Sequence, residues 1–131
     1  MGAWSHGSFD NDNALDWRHD FEAWGSFAII LALNTVTGLP DDEYPGTTLA
    51  CKAIAAAEVV AAANDGDASK LPETVNRALA VHRDTIDPKT LLPQARSAVD
   101  RILRQSELKE LWEGSEEWLA EMKALQTRLR R

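Results

Sequence analysis

Apolar positions recur at helical spacing along nearly the whole chain. Ala14, Trp17, Phe21 and Trp24 follow one another at three, four and three residues, which places them on one helix face. Gly25 closes that helix, and Ser26 is placed to cap the next, FAIILALNTVTG, which runs out at Gly38-Leu39-Pro40. The acidic turn DDEYPG at 41–46 follows, and its Pro45-Gly46 bars helix. Thr47 or Thr48 is then expected to cap LACKAIAAAEVVAAAN. That third segment is apolar almost all round, so it is predicted to be the central, buried helix. Its alanines allow neighbouring helices to approach closely.

The loop NDGDASK at 64–70 ends the central helix. Pro72 suits the first turn of ETVNRALAVHRD, and Asp87-Pro88 repeats the pairing of cap and proline. Pro93 would clash with the carbonyl of Lys89 in a continuous helix, so a break or kink is expected near Leu92. Ala95, Val99, Ile102 and Leu103 mark the helix beyond it. Ser106 caps ELKELWE, and Gly114-Ser115 separates that short helix from a last one. The last helix carries the stripe Trp118, Met122, Leu125 and Leu129, and RLRR sets positive charge at its C-terminal end. No stretch alternates apolar and polar residues with β-branched enrichment. The prediction is an all-α fold: a compact single-domain bundle of six to seven helices over residues 1–131, around an alanine-rich central helix and without substantial sheet. Residues 1–10 form an N-terminal anchoring segment, and 41–46 and 64–71 are loops.

Composition fits this picture. A chain of 131 residues with 44% apolar positions can bury one core. Its single cysteine, Cys51, excludes an intramolecular disulfide and fits a reducing compartment; in its alanine-rich stretch it reads as a small buried hydrophobe. The start of the chain lacks the basic region of a secretory leader. FAIILAL at 27–33 is far short of the ~20 apolar residues a membrane helix needs, so a cytoplasmic protein without membrane contact is expected. The net charge of −7 is unevenly placed. Residues 1–66 hold ten acids against Arg18 and Lys52, whereas residues 67–131 hold eleven acids and twelve bases. An acidic half repels phosphate and disfavours nucleic acid, and it speeds encounter with a basic protein. Charge of this size also simply keeps a small protein soluble.

Three stretches carry a resemblance. MGAWSHGSFDNDNALDW at 1–17, AIAAAEVVAA at 53–62 and SELKELWEGSEEWLAEMKALQTRL at 106–129 resemble, in the same order, the domain of unknown function 4259 family. The opening pattern, glycine and tryptophan followed by phenylalanine, aspartate, asparagine and aspartate, is the most specific part. Ser5 departs from it, standing where the family usually places another glycine, and residues 25–46 match no motif. The resemblance implies a small, mostly helical bacterial protein, and it implies no activity.

Candidate chemistry divides into structural and functional readings. Asp10 is expected to cap the first helix, with Phe9 and Ala14 in the places of a hydrophobic staple. Asp12, Asp16 and Asp20, spaced by four, line one stripe with His19 beside it. As a cation site the stripe lacks the spacing of a calcium loop; as an acidic recognition surface it accounts for the cost of stacking like charges at i, i+4. Trp4 is expected to plug a groove between helices, and His6 lacks a nucleophile to serve as a base. Glu58, a lone carboxylate inside AIAAAEVVAAA, must be paired or hydrogen-bonded if buried. The backbone or Trp4 indole of the opening segment, His6, or an arginine of the later helices could partner it; an acid or base with a raised pKa is the functional alternative. Trp112 and Trp118 fit the core better than a partner surface. No phosphate loop, C-x-x-C pair or nucleophile elbow is present. Arg96, Arg101 and Arg104 lie beside Asp100 without interleaved aromatics.

The expected function is a non-catalytic protein-interaction module without cofactor or metal. A concrete form is an immunity or antitoxin-like protein that binds a basic partner through Asp12, Asp16, Asp20, Asp41, Asp42 and Glu43. Trp4, Phe9, Asp10 and Glu58 are the expected structural anchors. Two alternatives stand beside it: a small-ligand or metal-binding enzyme using His6, Asp10, Asp12 and Glu58, and a self-associating structural subunit.

Overall fold

In the computed structural model of the chain, residues 7–131 are described, and they fold into seven α-helices without a β-strand element among them. The first two, α1 (Asp12–Trp24) and α2 (Ser26–Thr37), meet at a single-residue corner. The third, α3 (Thr47–Asp65), is followed by α4 (Glu73–His82), which runs into a 3-10 turn at Arg83–Thr85. Then come α5 (Pro88–Arg104), the short α6 (Glu107–Leu111) and α7 (Glu116–Leu129).

The central position of α3 follows from its composition. Every residue from Ala50 to Ala62 except Lys52 is buried, and α1, α2, α5, α6 and α7 all pack against it. Seven of those buried positions are alanine, whose single methyl brings helix backbones close and leaves the large side chains to be supplied by the surrounding helices. Trp17 and Phe21 come from α1, Ile29 and Leu33 from α2, Ile102 from α5, and Met122, Leu125 and Leu129 from α7. Trp17 and Phe21 stack with ring centroids 5.1 Å apart, and the Trp17 indole N–H donates to the Ala28 carbonyl at 3.2 Å. Cys51 is buried as expected, and burial pushes its thiol up to about 11.

Caps explain most helix boundaries. Asp87 and Ser106 accept from Lys89 and Lys109 N–H, as expected, and Ser115, read only as part of a separator, caps α7 by accepting from the Trp118 N–H. The cap of α1 is not Asp10 but Asn11, whose Oδ1 accepts from the Ala14 N–H at 2.7 Å. Asp10 closes the preceding turn, donating its N–H to the Gly7 carbonyl, and is exposed. That moves Phe9 and Ala14 out of staple register, although both are buried. Ser26 and Thr47 lie inside their helices rather than capping them, and Pro72 stands just outside α4. The start of α3 is capped from a distance instead: Glu107 Oε1 accepts from the N–H and the hydroxyl of Thr47, both at 2.9 Å.

The break expected near Leu92 is absent. The chain runs as one helix from Pro88 to Arg104 through Pro93. A proline there removes one backbone bond, to the Lys89 carbonyl, and Pro93 and Lys89 are both exposed, so water can serve that carbonyl. The buried set Leu91, Leu92, Ala95, Ala98, Val99 and Ile102 spans the proline and holds the helix together. Trp24 is 66% exposed although it continues the spacing of Trp17 and Phe21. The helix ends there, and the turn at Gly25 directs the chain away before Trp24 finds a neighbour to cover it.

Gly25 sits at φ 56°, ψ −128°, and a Cβ on it would come within 2.8 Å of the His82 ring. That ring borders Phe21, and its Nε2 is 2.9 Å from the Glu22 carbonyl at the end of α1. Gly25→Ala is therefore expected to cost about 2 kcal/mol or more, from backbone strain together with displacement of His82. Chemical denaturation checks this, and an unchanged unfolding midpoint would contradict it.

Candidate functional site

Two arrangements of polar groups are candidates for function: one buried, one on the surface. The buried one is centred on Glu58, which is only 2% exposed in the middle of α3. A carboxylate so placed must gather donors. Ser8, from the segment ahead of α1, donates its hydroxyl to Oε2 at 2.6 Å, and Arg128 of α7 donates from Nη1 to Oε1 at 3.2 Å. Arg128 is itself buried and divides its fork. Nε and Nη2 reach the two oxygens of Asp65 at 3.0 Å each, and Nη2 also reaches the Asp67 carbonyl at 2.7 Å. On the far side, Asn11 Nδ2 donates to the Ser8 carbonyl while its Oδ1 caps α1. One continuous set of bonds thus joins the start of α1, the middle and end of α3, and the end of α7.

The electrostatics of this cluster divide. Burial raises the Glu58 carboxyl above its ordinary value, with the Ser8 hydrogen bond and the Arg128 charge pulling against it. Asp65 is held below its ordinary value, first by its hydrogen bonds from Arg128. Both Glu58 oxygens are occupied by hydrogen bonds within the chain. The remaining members of the proposed reactive set do not join it: Asp10 and Asp12 are exposed whereas Glu58 is buried. Trp4 and His6 lie outside the described residues. Among the described residues, no group of three or more His, Cys, Asp or Glu could hold a metal ion, and no helix is long and apolar enough to cross a membrane.

The surface arrangement lies on α1 and the loop after α2. Asp12, Asp16, Asp20, Asp41, Asp42 and Glu43 are all exposed, and none forms an ion pair among the described residues. The two groups differ in what lies beneath them. The 41–43 loop is fastened by Arg101, which donates to the carbonyls of Val36, Thr37, Leu39, Pro40 and Glu43, so a cation sits under those acids. On α1, Arg18 is engaged with Glu22 at 3.3 Å, leaving the Asp12–Asp16–Asp20 stripe uncompensated. Sequence spacing gave no sign of the Arg101 staple, because its acceptors are backbone carbonyls that any residue supplies.

The acidic stripe runs into apolar surface. Trp24, Phe27 and Leu31 are 66%, 60% and 54% exposed, at spacings of three and four across the Gly25 corner. They border a groove of about 270 Å³ shared with Asp20, Ala28, Leu49 and Lys52. Trp118 is buried and Trp112 half-buried; together they border a separate cleft of about 670 Å³ whose rim mixes Arg104 and Lys109 with Glu110 and Glu113.

Fold and site together define an all-α protein with an alanine-rich central helix, an internal ionic lock and an acidic outer face. The chain belongs to the family described as Domain of unknown function (DUF4259), whose model matches residues 2–124. No curated protein and no solved structure matches the chain.

The lock generates two expectations. Arg128→Ala, which strands Glu58 and Asp65 together, is expected to cost about 3–5 kcal/mol, whereas Glu58→Gln, which keeps an oxygen acceptor and removes a desolvated charge, costs about 1 kcal/mol. Equal losses in urea unfolding would contradict the lock. The pH dependence follows from Asp65. Its folded-state pKa is depressed, so its contribution is present above the ordinary value of 3.8 and is lost as pH falls through the folded value. The stability gap between the parent chain and Asp65→Asn is therefore expected to narrow on acidification from pH 7 toward pH 2. A gap that stays constant across that range would refute it.

Proposed function

We propose that this protein is a non-catalytic interaction module of the bacterial cytoplasm that binds a basic protein, as an immunity or antitoxin-like protein does. The supporting observation is the set of six exposed carboxylates that form no ion pair among the described residues, of which Asp12, Asp16 and Asp20 have no cation beneath them. Three aspartates stacked at i, i+4 on α1 destabilise their own helix, a cost that a cationic partner reverses. Facing charges speed encounter and select the partner, and salt weakens both effects. The buried lock suits the same role: a framework held from within keeps the acidic face in a fixed arrangement, and preorganisation reduces what binding must spend on ordering. The buried Cys51 accords with a reducing compartment.

The test is affinity purification of the tagged protein from its own host at low and high salt, beside a variant with Asp12, Asp16 and Asp20 changed to Asn. A stoichiometric partner with a basic surface is expected at low salt, depleted at high salt and lost by the variant. Recovery of no stoichiometric partner at either salt would sink the reading.

A further inference from the structure

The apolar groove at the α1–α2 corner is chemically distinct from the acids beside it. Trp24, Phe27 and Leu31 are exposed and line the groove together with Ala28 and Leu49. Exposed tryptophan beside a groove is the composition of a binding hot spot. Apolar exposure of this kind costs solubility unless something covers it.

We propose that this groove seats an amphipathic, basic helix of a partner protein, its apolar face on Trp24, Phe27 and Leu31 and its Lys or Arg side chains on Asp16 and Asp20. The proposal rests on the interaction-module reading and names the part of the partner that binds. Charge selects the occupant. Asp12, Asp16 and Asp20 run along α1 toward Trp24, one helical turn apart, so successive carboxylates stand about 6 Å apart along the axis. A helix lying alongside presents cations at i and i+4 with the same repeat. An extended strand has a similar repeat but binds by pairing with a sheet edge, and the described residues contain no strand element to offer one. A second copy of this chain would bring two acidic stripes together on molecules that each carry −7. Anionic lipid is repelled by the same stripe. Lys52 of α3 balances Asp20 on the groove wall itself, so the acidic bias comes from Asp12 and Asp16, further along α1.

The probe is a synthetic helical peptide with leucines on one face and lysines along one edge at i, i+4. Its twin has each lysine replaced by glutamate. Titrated into isotope-labelled protein, the lysine peptide is expected to shift the Trp24 indole and the backbone signals of Asp20, Phe27 and Leu31. The glutamate twin is expected to leave them in place. Trp24→Ala, an exposed position whose retained helicity circular dichroism verifies, should weaken binding about tenfold or more. The doubly neutralised D16N/D20N variant should flatten the salt dependence. The proposal is overturned if both peptides bind alike, if the shifts fall on the Trp112–Trp118 cleft, or if Trp24→Ala binds as tightly as the parent. It is also overturned if light scattering shows a dimer abolished by Trp24→Ala, or if phosphatidylcholine vesicles compete with the peptide. A host partner that Trp24→Ala still captures, but that Asp41→Asn/Asp42→Asn loses, overturns the groove and leaves the module reading standing. Lysine-selective peptide binding at the groove with no stoichiometric host partner supports the groove and counts against the module reading.

Discussion

Glu58 is the constraint around which this fold is arranged. A carboxylate placed mid-way along an otherwise apolar helix cannot be hydrated, so the chain has to bring donors to it from elsewhere. Ser8 and Arg128 answer from opposite directions in sequence, and each brings its own element along. Ser8 carries the cap of α1 through Asn11, and Arg128 carries the end of α3 through Asp65 and Asp67. An apolar residue in place of Glu58 would bury more comfortably. What the acid adds is directed bonding: moving Arg128 away would leave both Glu58 and Asp65 without it.

The other fastenings share a principle, in that charged side chains terminate helices to which they do not belong. Arg101 of α5 collects the orphan carbonyls at the end of α2, and Glu107 of α6 collects the orphan N–H at the start of α3. Thr47 in turn holds the Glu107 carboxyl below its ordinary value. Arg96 of α5 does likewise at the end of α7, donating to the Leu129 carbonyl at 2.6 Å. These caps compensate for a central helix built of alanine, whose small side chains contribute close approach but little apolar area of their own.

Much of this was legible in the sequence where local chemistry determines the outcome. Asp87, Ser106 and Ser115 precede apolar runs at cap spacing, and α3 announces its burial by composition. Glu58 was legible as an acid in need of a partner, and an arginine of the later helices was among the candidates. Arg128 itself carried a signal that the dipole reading of RLRR obscured: it sits three residues after Leu125, within the buried stripe of α7. Asp10 and Asn11 could not be told apart as caps, because either side chain can accept the same N–H. Trp24 shares the spacing of Trp17 and Phe21 but not their burial, because spacing says where a side chain points and not whether a neighbour is there to meet it. The outer face was legible as charge; its junction with Phe27 and Leu31 depended on the Gly25 corner, which no periodicity describes.

The Glu58–Arg128 bond joins residues 70 apart, and the Glu107 cap reaches back 60 to Thr47. A ribosome delivers the central helix well before either of the groups that complete it. Until α6 and α7 emerge, α3 holds an open amino end and a buried-to-be acid with no counter-charge. The most deeply buried helix of the protein is in this sense the last to be finished.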